Sequence, residues 1–539
     1  MKKLRGFTVN RTLILFILLA LVIRVVVVLS RQAINGDEFG YSRLAENLAN
    51  GSGYIDILGN VNTIFSPLLP LLSGGISFIL NDIVASGYVI EVLFGSLLLI
   101  PAYLLAKEFA GERAGLYTAA LLAVLPVAVE YSTRIYTEGV YTFFLIMGVY
   151  LFWRSVHGGA LLYAPLAGGM IGLAYLANPS GLFYVVAFLL IYVITAAMKR
   201  GTRFHFLKAA SIFLAVFLVL AIPYVVFLHS SLGKWTYSGK SSAGLDLEAA
   251  AKDIRWFTPE YEKMIMSLSD DGTDIVDLSQ AEDVDPLSYF AKNPKTFVKI
   301  FTRDLNIFYM EEFPNVIPLW LLPLLGLGLF GAAWDRKRAK AVGFSLLLIA
   351  PSILIFAIEY RPRFFVPFVP LAMIWVAVGW LWLEEWGRKT VSLTVGKSRR
   401  DFAVRGIPVV IAISVLLPLL MLTAMYTSRQ GYNVELKKAG EWLKDNGGGS
   451  ANVMDRELNS AFYSGGTAVL FPYAGYEDTT DYARIKDVDY LVISRKDIRD
   501  FRPGMQVLLE NESLHPGWRL IHGGQAAGDN EVLVFELEK

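Results

Sequence analysis

Apolar runs long enough to cross a bilayer recur along this chain, and they restrict it to one kind of fold. A helix needs about 20 predominantly apolar residues to span the hydrocarbon core, and a backbone in lipid must satisfy its own hydrogen bonds. Repeated runs of this kind therefore mean a polytopic α-helical membrane protein. Spans are predicted near 12–29, 83–106, 114–129, 139–153, 160–177, 180–198, 207–228, 315–333, 341–358, 364–383 and 406–427, eleven in all. Residues 65–80 are apolar but short, broken by Pro67, Pro70 and paired glycines, and read as a re-entrant or interfacial segment. The first run is long and followed by polar Ser30-Arg31-Gln32, so it reads as a retained span rather than a cleaved signal.

Composition agrees. Only 18% of residues are charged, against roughly 25% in soluble chains. The net charge of +1 gives no footprint for nucleic acid. Cysteine is absent, which excludes disulfides, thiolate catalysis and zinc–thiolate sites.

Lys and Arg alternate between the connections. Lys2, Lys3, Arg5 and Arg11, then Lys107 and Arg113, Arg154, Lys199 to Lys208, Arg336 to Lys340, and Arg388 to Arg405 fall in every second one. By the positive-inside rule these are cytoplasmic, with the N-terminus among them. The first loop (30–82), the turn from Arg134 to Glu138, the long loop (229–313) and the tail after Thr427 then lie outside together. Arg24 and Glu91 fall within the first two spans at similar depth. Buried charges in lipid are costly, so they are expected to pair with each other.

The tail changes character. Val434 to Asp445 reads as an amphipathic helix, followed by a glycine turn and strand-like runs at 451–454, 468–471, 490–494 and 531–536. The chain thus divides into a membrane domain, 1–430, and a small extracytoplasmic α/β domain, 431–539. The acidic stretch from Asp270 to Asp285 in the long loop lacks calcium-loop spacing and reads as solvated. Gly326-Leu-Gly328-Leu-Phe-Gly331 matches a dinucleotide fingerprint but lies inside a span with no preceding strand, so its small residues serve close helix packing. No phosphate-binding loop, nucleophile elbow or histidine metal motif is present.

What remains is the first outer loop, where Asp37 and Glu38 stand just past the first span, followed by Tyr41, Ala45, Leu48, Gly51 and Tyr54. A carboxylate at this interface can deprotonate a hydroxyl, hold a divalent cation, or simply cap a helix. The pattern resembles the first-loop signature of the GT-C glycosyltransferases, nearest the protein O-mannosyltransferase and aminoarabinose-transferase branch. Ser66-Pro67-Leu68, Tyr131-Ser-Thr-Arg134-Ile-Tyr-Thr-Glu138, Ile222-Pro223-Tyr224 with Gly233-Lys234-Trp235, and Arg361-Pro-Arg363-Phe364 resemble later segments of that family, in order. Two positions depart from it. Gly40 stands where aminoarabinose-type relatives have an arginine, and Tyr224-Val225 where many members have Arg-Asn.

The resemblance implies a sugar carried on a polyprenyl phosphate, transferred with inversion to a hydroxyl of a protein, lipid or glycan at the outer face of a plasma membrane. It implies Asp37 as base, Glu38 as an orienting or acceptor-binding acid, and Glu138 as a second acidic position that positions the acceptor or shares a Mg²⁺ or Mn²⁺ ion with Asp37. Tyr41, Arg43 and Arg134 are substrate-binding candidates. Arg361 and Arg363 are the candidates for phosphate, with Lys234 and Lys240 behind them, because a guanidinium holds phosphate oxygens in a planar fork. Two rivals share the many-span plan. A transporter or flippase would show internal repeats and charges deep in several spans. A polysaccharide polymerase or ligase would lean on loop arginines.

Overall fold

The computed structural model describes residues 10–158, 161–239, 252–255, 258–275, 290–331, 333–350, 361–394, 397–427, 433–510, 515–523 and 531–538. Helices follow the apolar runs: α1 Arg11–Ser30, α2 Asp37–Ala49, α3 Leu68–Leu80, α4 Ile83–Leu97, α5 Leu99–Ala110, α6 Glu112–Val124, α7 Pro126–Tyr131, α8 Glu138–Gly158, α9 Tyr163–Ala177, α10 Gly181–Met198 and α11 Arg203–Leu232. Beyond these come Pro294–Ile307, Leu322–Phe330, Arg336–Ile349, Val369–Thr394 and Lys397–Thr427. Among the described residues seven helices are long and apolar enough to cross a membrane, or eight if the pair Pro294–Val316 and Leu319–Phe330, bent by 81°, is one span. The other expected spans fall on shorter or broken helices, and the expected span 341–358 lies partly outside the described residues. The Pro-broken apolar segment is a short helix, α3, packed so closely on α2 that a Cβ at Gly74 would come within 2.9 Å of the Ala45 carbonyl oxygen.

Within the glycine fingerprint, Gly328 is the residue at a helix packing seam, while Gly326 faces open space. A Cβ on Gly328 would run into the Trp375 carbonyl oxygen, and one on Gly379 into that of Leu324, so these two helices meet backbone to backbone.

Arg24 and Glu91 do not form the expected pair. Pro126 breaks the helix begun by α6, because it has no N–H to give the Leu122 carbonyl. Arg24 fills that gap. Its Nη2 donates to the carbonyls of Leu122 (3.4 Å) and Ala128 (3.3 Å), its Nη1 to Ala123 (3.2 Å), and its Nε to Ser132 Oγ (2.7 Å). Thr423 Oγ1 donates to the remaining Val124 carbonyl at 3.0 Å. A cation at a helix C-terminus also complements the dipole. Glu91, fully buried on α4, caps a different helix: Gly139 N–H at the start of α8 donates to its Oε2 at 2.8 Å. Both intramembrane ionisable residues therefore meet backbone groups at helix ends and not each other.

The C-terminal unit opens with the helix Asn433–Asp445 and carries a five-stranded sheet. Its strands are β1 Asn452–Asp455, β2 Thr467–Leu470, β3 Tyr490–Ser494, β4 Trp518–His522 and β5 Val532–Leu537, in the order β2-β1-β3-β5-β4. β1 runs parallel to β2 and β3, while β5 is antiparallel to β3 and β4. The sequence reading finds four of these strands and misses β4, an edge strand with a register shift between Leu520 and His522.

The long loop is not wholly solvated. Its helix Pro259–Met266 places Glu262 against the C-terminal unit, where Oε1 accepts from Arg456 Nε at 2.8 Å and Oε2 pairs with Arg502 Nη1 at 2.5 Å. Leu268 and Ile275 pack on the same unit, and Asp274 pairs with Lys486. The acidic stretch from 276 to 285 lies outside the described residues.

Candidate active site

Three faces of α2 organise the site. At about 100° per residue, Asp37 and Tyr41 share one face, Glu38 turns a quarter away, and Phe39 and Arg43 share a third. Gly36 makes the entry possible with φ of 56°, where its missing Cβ leaves room for the Tyr136 hydroxyl. Asp37 and Glu38 then occupy the first turn, which the helix dipole favours.

Asp37 does not cap its helix. Its Oδ2 accepts from Arg363 Nη1 at 2.7 Å, and Arg363 Nε lies 3.3 Å from Glu138 Oε1. One guanidinium thus bridges carboxylates from the first outer loop and the start of α8. Arg363 stands in a 3₁₀-helical segment of about two turns, Pro362–Phe368, that leads into the helix Val369–Thr394. Its guanidinium rests over the rings of Tyr136 and Phe364, each 5.2 Å from the centroid. Glu138 and Arg363 are mostly buried, whereas the Asp37 side chain is 38% exposed, so the carboxylate is the partner a substrate can reach. Tyr41 is buried beneath this pair, and burial first, then the negative charge of Asp37, raises its phenol so that it stays a hydrogen-bond donor.

Glu38 is a brace. It is wholly buried, accepts from Arg31 Nη2 (3.0 Å) and the Asn35 N–H (2.9 Å) through Oε2, and accepts from the Ile135 N–H (3.0 Å) through Oε1. Arg31 also donates to the Thr133 carbonyl at 2.8 Å. These bonds lock the first outer loop onto the turn before Glu138. Within that turn buried Thr137 holds φ at 88°, a costly conformation for a non-glycine residue and one found at sites whose surroundings over-determine the backbone.

The other candidates are dispersed. Arg43 leaves the site: it lies about 240° around the helix from Asp37 and donates to the Gly466 carbonyl at 3.1 Å, with its guanidinium over Phe462. Arg134 pairs with Glu130 at 2.9 Å and covers the face of Tyr136, so that ring lies near two guanidiniums. Arg361 rests over Phe364 at 5.6 Å while Arg363 makes the bridge. Lys234 is exposed just past Gly233, which ends α11 in the left-handed region, and Lys240 lies outside the described residues. Gly40 has a reason of its own, since a side chain there would meet the Phe65 ring at 2.6 Å. Tyr136 and Arg31 join the site beyond the sequence candidates, Tyr136 from inside the segment that ends at Glu138 and Arg31 from directly after the first apolar run.

The carboxylates do not fit a divalent-cation cage. The place between Asp37 and Glu138 is filled by the Arg363 guanidinium, and among the described residues no group of three or more His, Cys, Asp or Glu side chains is placed to hold a metal.

The architecture defines the class: a multi-pass membrane protein of the GT-C glycosyltransferase fold, resembling the protein O-mannosyltransferase and aminoarabinose-transferase branch. Residues 66–226 match the family model described as dolichyl-phosphate-mannose-protein mannosyltransferase. That stretch includes Glu138 but neither Asp37 nor Arg363. Among solved structures, the chain resembles the oligosaccharyltransferase AglB of Archaeoglobus fulgidus, in complex with an inhibitory peptide and a dolichol-phosphate, at a TM-score of 0.60 and 14% identity, covering 92% of this chain and 70% of that one. It also resembles ArnT of Cupriavidus metallidurans bound to undecaprenyl phosphate, at 0.57 and 12%, covering 97% of each. No curated protein sequence matches the chain.

Proposed function

We propose that the chain transfers a sugar from a polyprenyl-phosphate donor to a hydroxyl-bearing acceptor at the outer face of a plasma membrane, with inversion. Residues 1–430 form the catalytic domain and 431–539 an extracytoplasmic one, with the N-terminus cytoplasmic. The observation that carries the reading is the Asp37–Arg363–Glu138 bridge, assembled from three segments far apart in sequence. The likeness to two structures that hold polyprenyl phosphates supports the donor class. The use of Arg24 and Glu91 as helix caps speaks against a charged transport path.

In the resting protein Arg363 neutralises Asp37. A donor phosphate entering beside Arg363 competes for the same guanidinium, and a carboxylate relieved of its cation is the better base. Asp37 then takes the acceptor hydroxyl proton while the acceptor oxygen bonds to the anomeric carbon. The bond from that carbon to the phosphate oxygen breaks, and the leaving prenyl phosphate keeps the electron pair against Arg363, with Arg361 as the second cation. Glu138 holds the far side of the guanidinium and Glu38 holds the loop.

The test is turnover of a panel of polyprenyl-phosphate sugars by purified protein, with a membrane extract as acceptor source. Asp37→Asn should lower turnover by about 100-fold or more, the scale of general-base catalysis, while donor binding persists. Full turnover in Asp37→Asn removes it as base, and inactivity of the wild type on every donor overturns the transferase reading.

A further inference from the structure

The third face of α2, that of Phe39 and Arg43, meets the C-terminal unit. Phe39, 1% exposed, packs its ring against Phe462 at 5.3 Å and Tyr463 at 6.2 Å, both on the C-terminal unit's short helix Asn459–Ser464. The Ile34 N–H, just ahead of the helix, donates to the Tyr463 hydroxyl at 3.0 Å. The edge strand β2 adds a main-chain bond from the Ala468 N–H to the Ile57 carbonyl at 3.0 Å. Asp37 is thus flanked by residues whose partners lie some 430 positions away in sequence (429 between Ile34 and Tyr463).

We infer that the C-terminal unit is a positioning element of the active site, and that Phe462 and Tyr463 set the place of Asp37 by holding α2 from behind. The physical reason is that α2 is a short helix in a loop, held from several directions: Glu38 ties it to the turn before Glu138, Gly40 and Tyr41 meet Phe65, α3 packs on Ala45, and the Phe39 face is held by the C-terminal unit. Each hold restrains a different direction, so loss of the one on the Phe39 face lets α2 shift toward the side it leaves open. Misplacing a catalytic group by about 1 Å costs on the order of 100-fold in rate. Phe462 and Tyr463 touch no reacting atom in this scheme, so their effect belongs on kcat and not on donor affinity. The inference rests on the proposed transfer reaction for its kinetic half and is independent of it for its structural half.

The experiment uses the full chain. Because it contains no cysteine, Asn50→Cys on the end of α2 and Ser231→Cys on α11, both exposed, can carry spin labels without background. Distances between them are measured in the otherwise unaltered chain, in Tyr463→Phe, which removes one hydroxyl and keeps the ring, and in Phe462→Ala. Turnover is measured on the same variants without labels. The expected result is a broadened or shifted distance distribution in both variants, a kcat lowered roughly 10-fold or more, and a donor KM within about twofold. Arg519→Gln, on the exposed far edge of the sheet, should change neither. An unchanged distribution overturns the inference whatever the activity does, and so does a disturbed distribution with unchanged kcat. If the wild type turns over no donor, the transfer reaction falls, and the distance measurement alone decides whether the C-terminal unit holds α2.

Discussion

Arg363 is the residue on which the site turns, because its planar fork meets two carboxylates at once. A lysine keeps the charge but not the fork, so Arg363→Lys should retain folding and lose roughly 10- to 100-fold in kcat/KM. Rates of the two proteins on one donor check this, and equal rates would show that charge alone suffices. Asp455 makes a different prediction. It is fully buried at the end of β1, where its Oδ2 accepts from the Ser460 N–H at 2.7 Å, and burial pushes its carboxyl up to about 7. A raised folded value means that folding favours the protonated acid. The stability this group contributes is therefore complete below the ordinary carboxyl value near 4 and is lost as pH rises through about 7. Thermal unfolding between pH 4 and 8 should show that loss in the wild type, and Asp455→Asn should flatten it.

The break between α6 and α7 is stabilised from another helix. Arg24→Leu leaves several buried carbonyls without donors, each costing about 1–3 kcal/mol. Restoring the missing donor with Pro126→Ala should recover part of that loss in the double variant, because an alanine N–H can return to the Leu122 carbonyl and continue the helix. Thermal stability in detergent of the two single variants and the double one forms the cycle, and strict additivity would mean that Arg24 is not capping the break. The existence of these helices was legible in hydropathy alone. The break itself was marked by Pro126, yet the partner that heals it was not, since nothing local ties Arg24 to a carbonyl about a hundred residues on.

Taken whole, the molecule holds both the first loop and the long loop with its C-terminal unit: α2 through Phe462 and Tyr463, and the long loop through Glu262. Glu262 is mostly buried between Arg456 and Arg502, so Glu262→Gln takes from the buried Arg502 the carboxylate that meets it, while Arg456 keeps Glu457 and Asp497. Limited proteolysis should then cut faster within 258–275 while the membrane helices stay protected. Equal cutting rates would show that the loop is held by its apolar contacts, Leu268 and Ile275. Glu38 belongs to the first-loop signature and Arg43 lies between its positions, yet helix geometry sends Arg43 to the C-terminal unit and Glu38 to the turn before Glu138.

Hydropathy and periodicity carried the helical membrane architecture, the amphipathic start of the tail and four of its five strands, because burial in lipid or in a sheet leaves a periodic trace in consecutive residues. Asp37, Glu138 and Arg363 were readable as candidates from their motifs. Their convergence was not, since a bond between residues 326 apart leaves no local pattern. The same reason covers the parting of Arg24 from Glu91, the choice of Arg363 over Arg361 for the bridge, and the docking of Phe39 and Glu262. Each depends on which helix faces which, and that is set by packing of the whole chain.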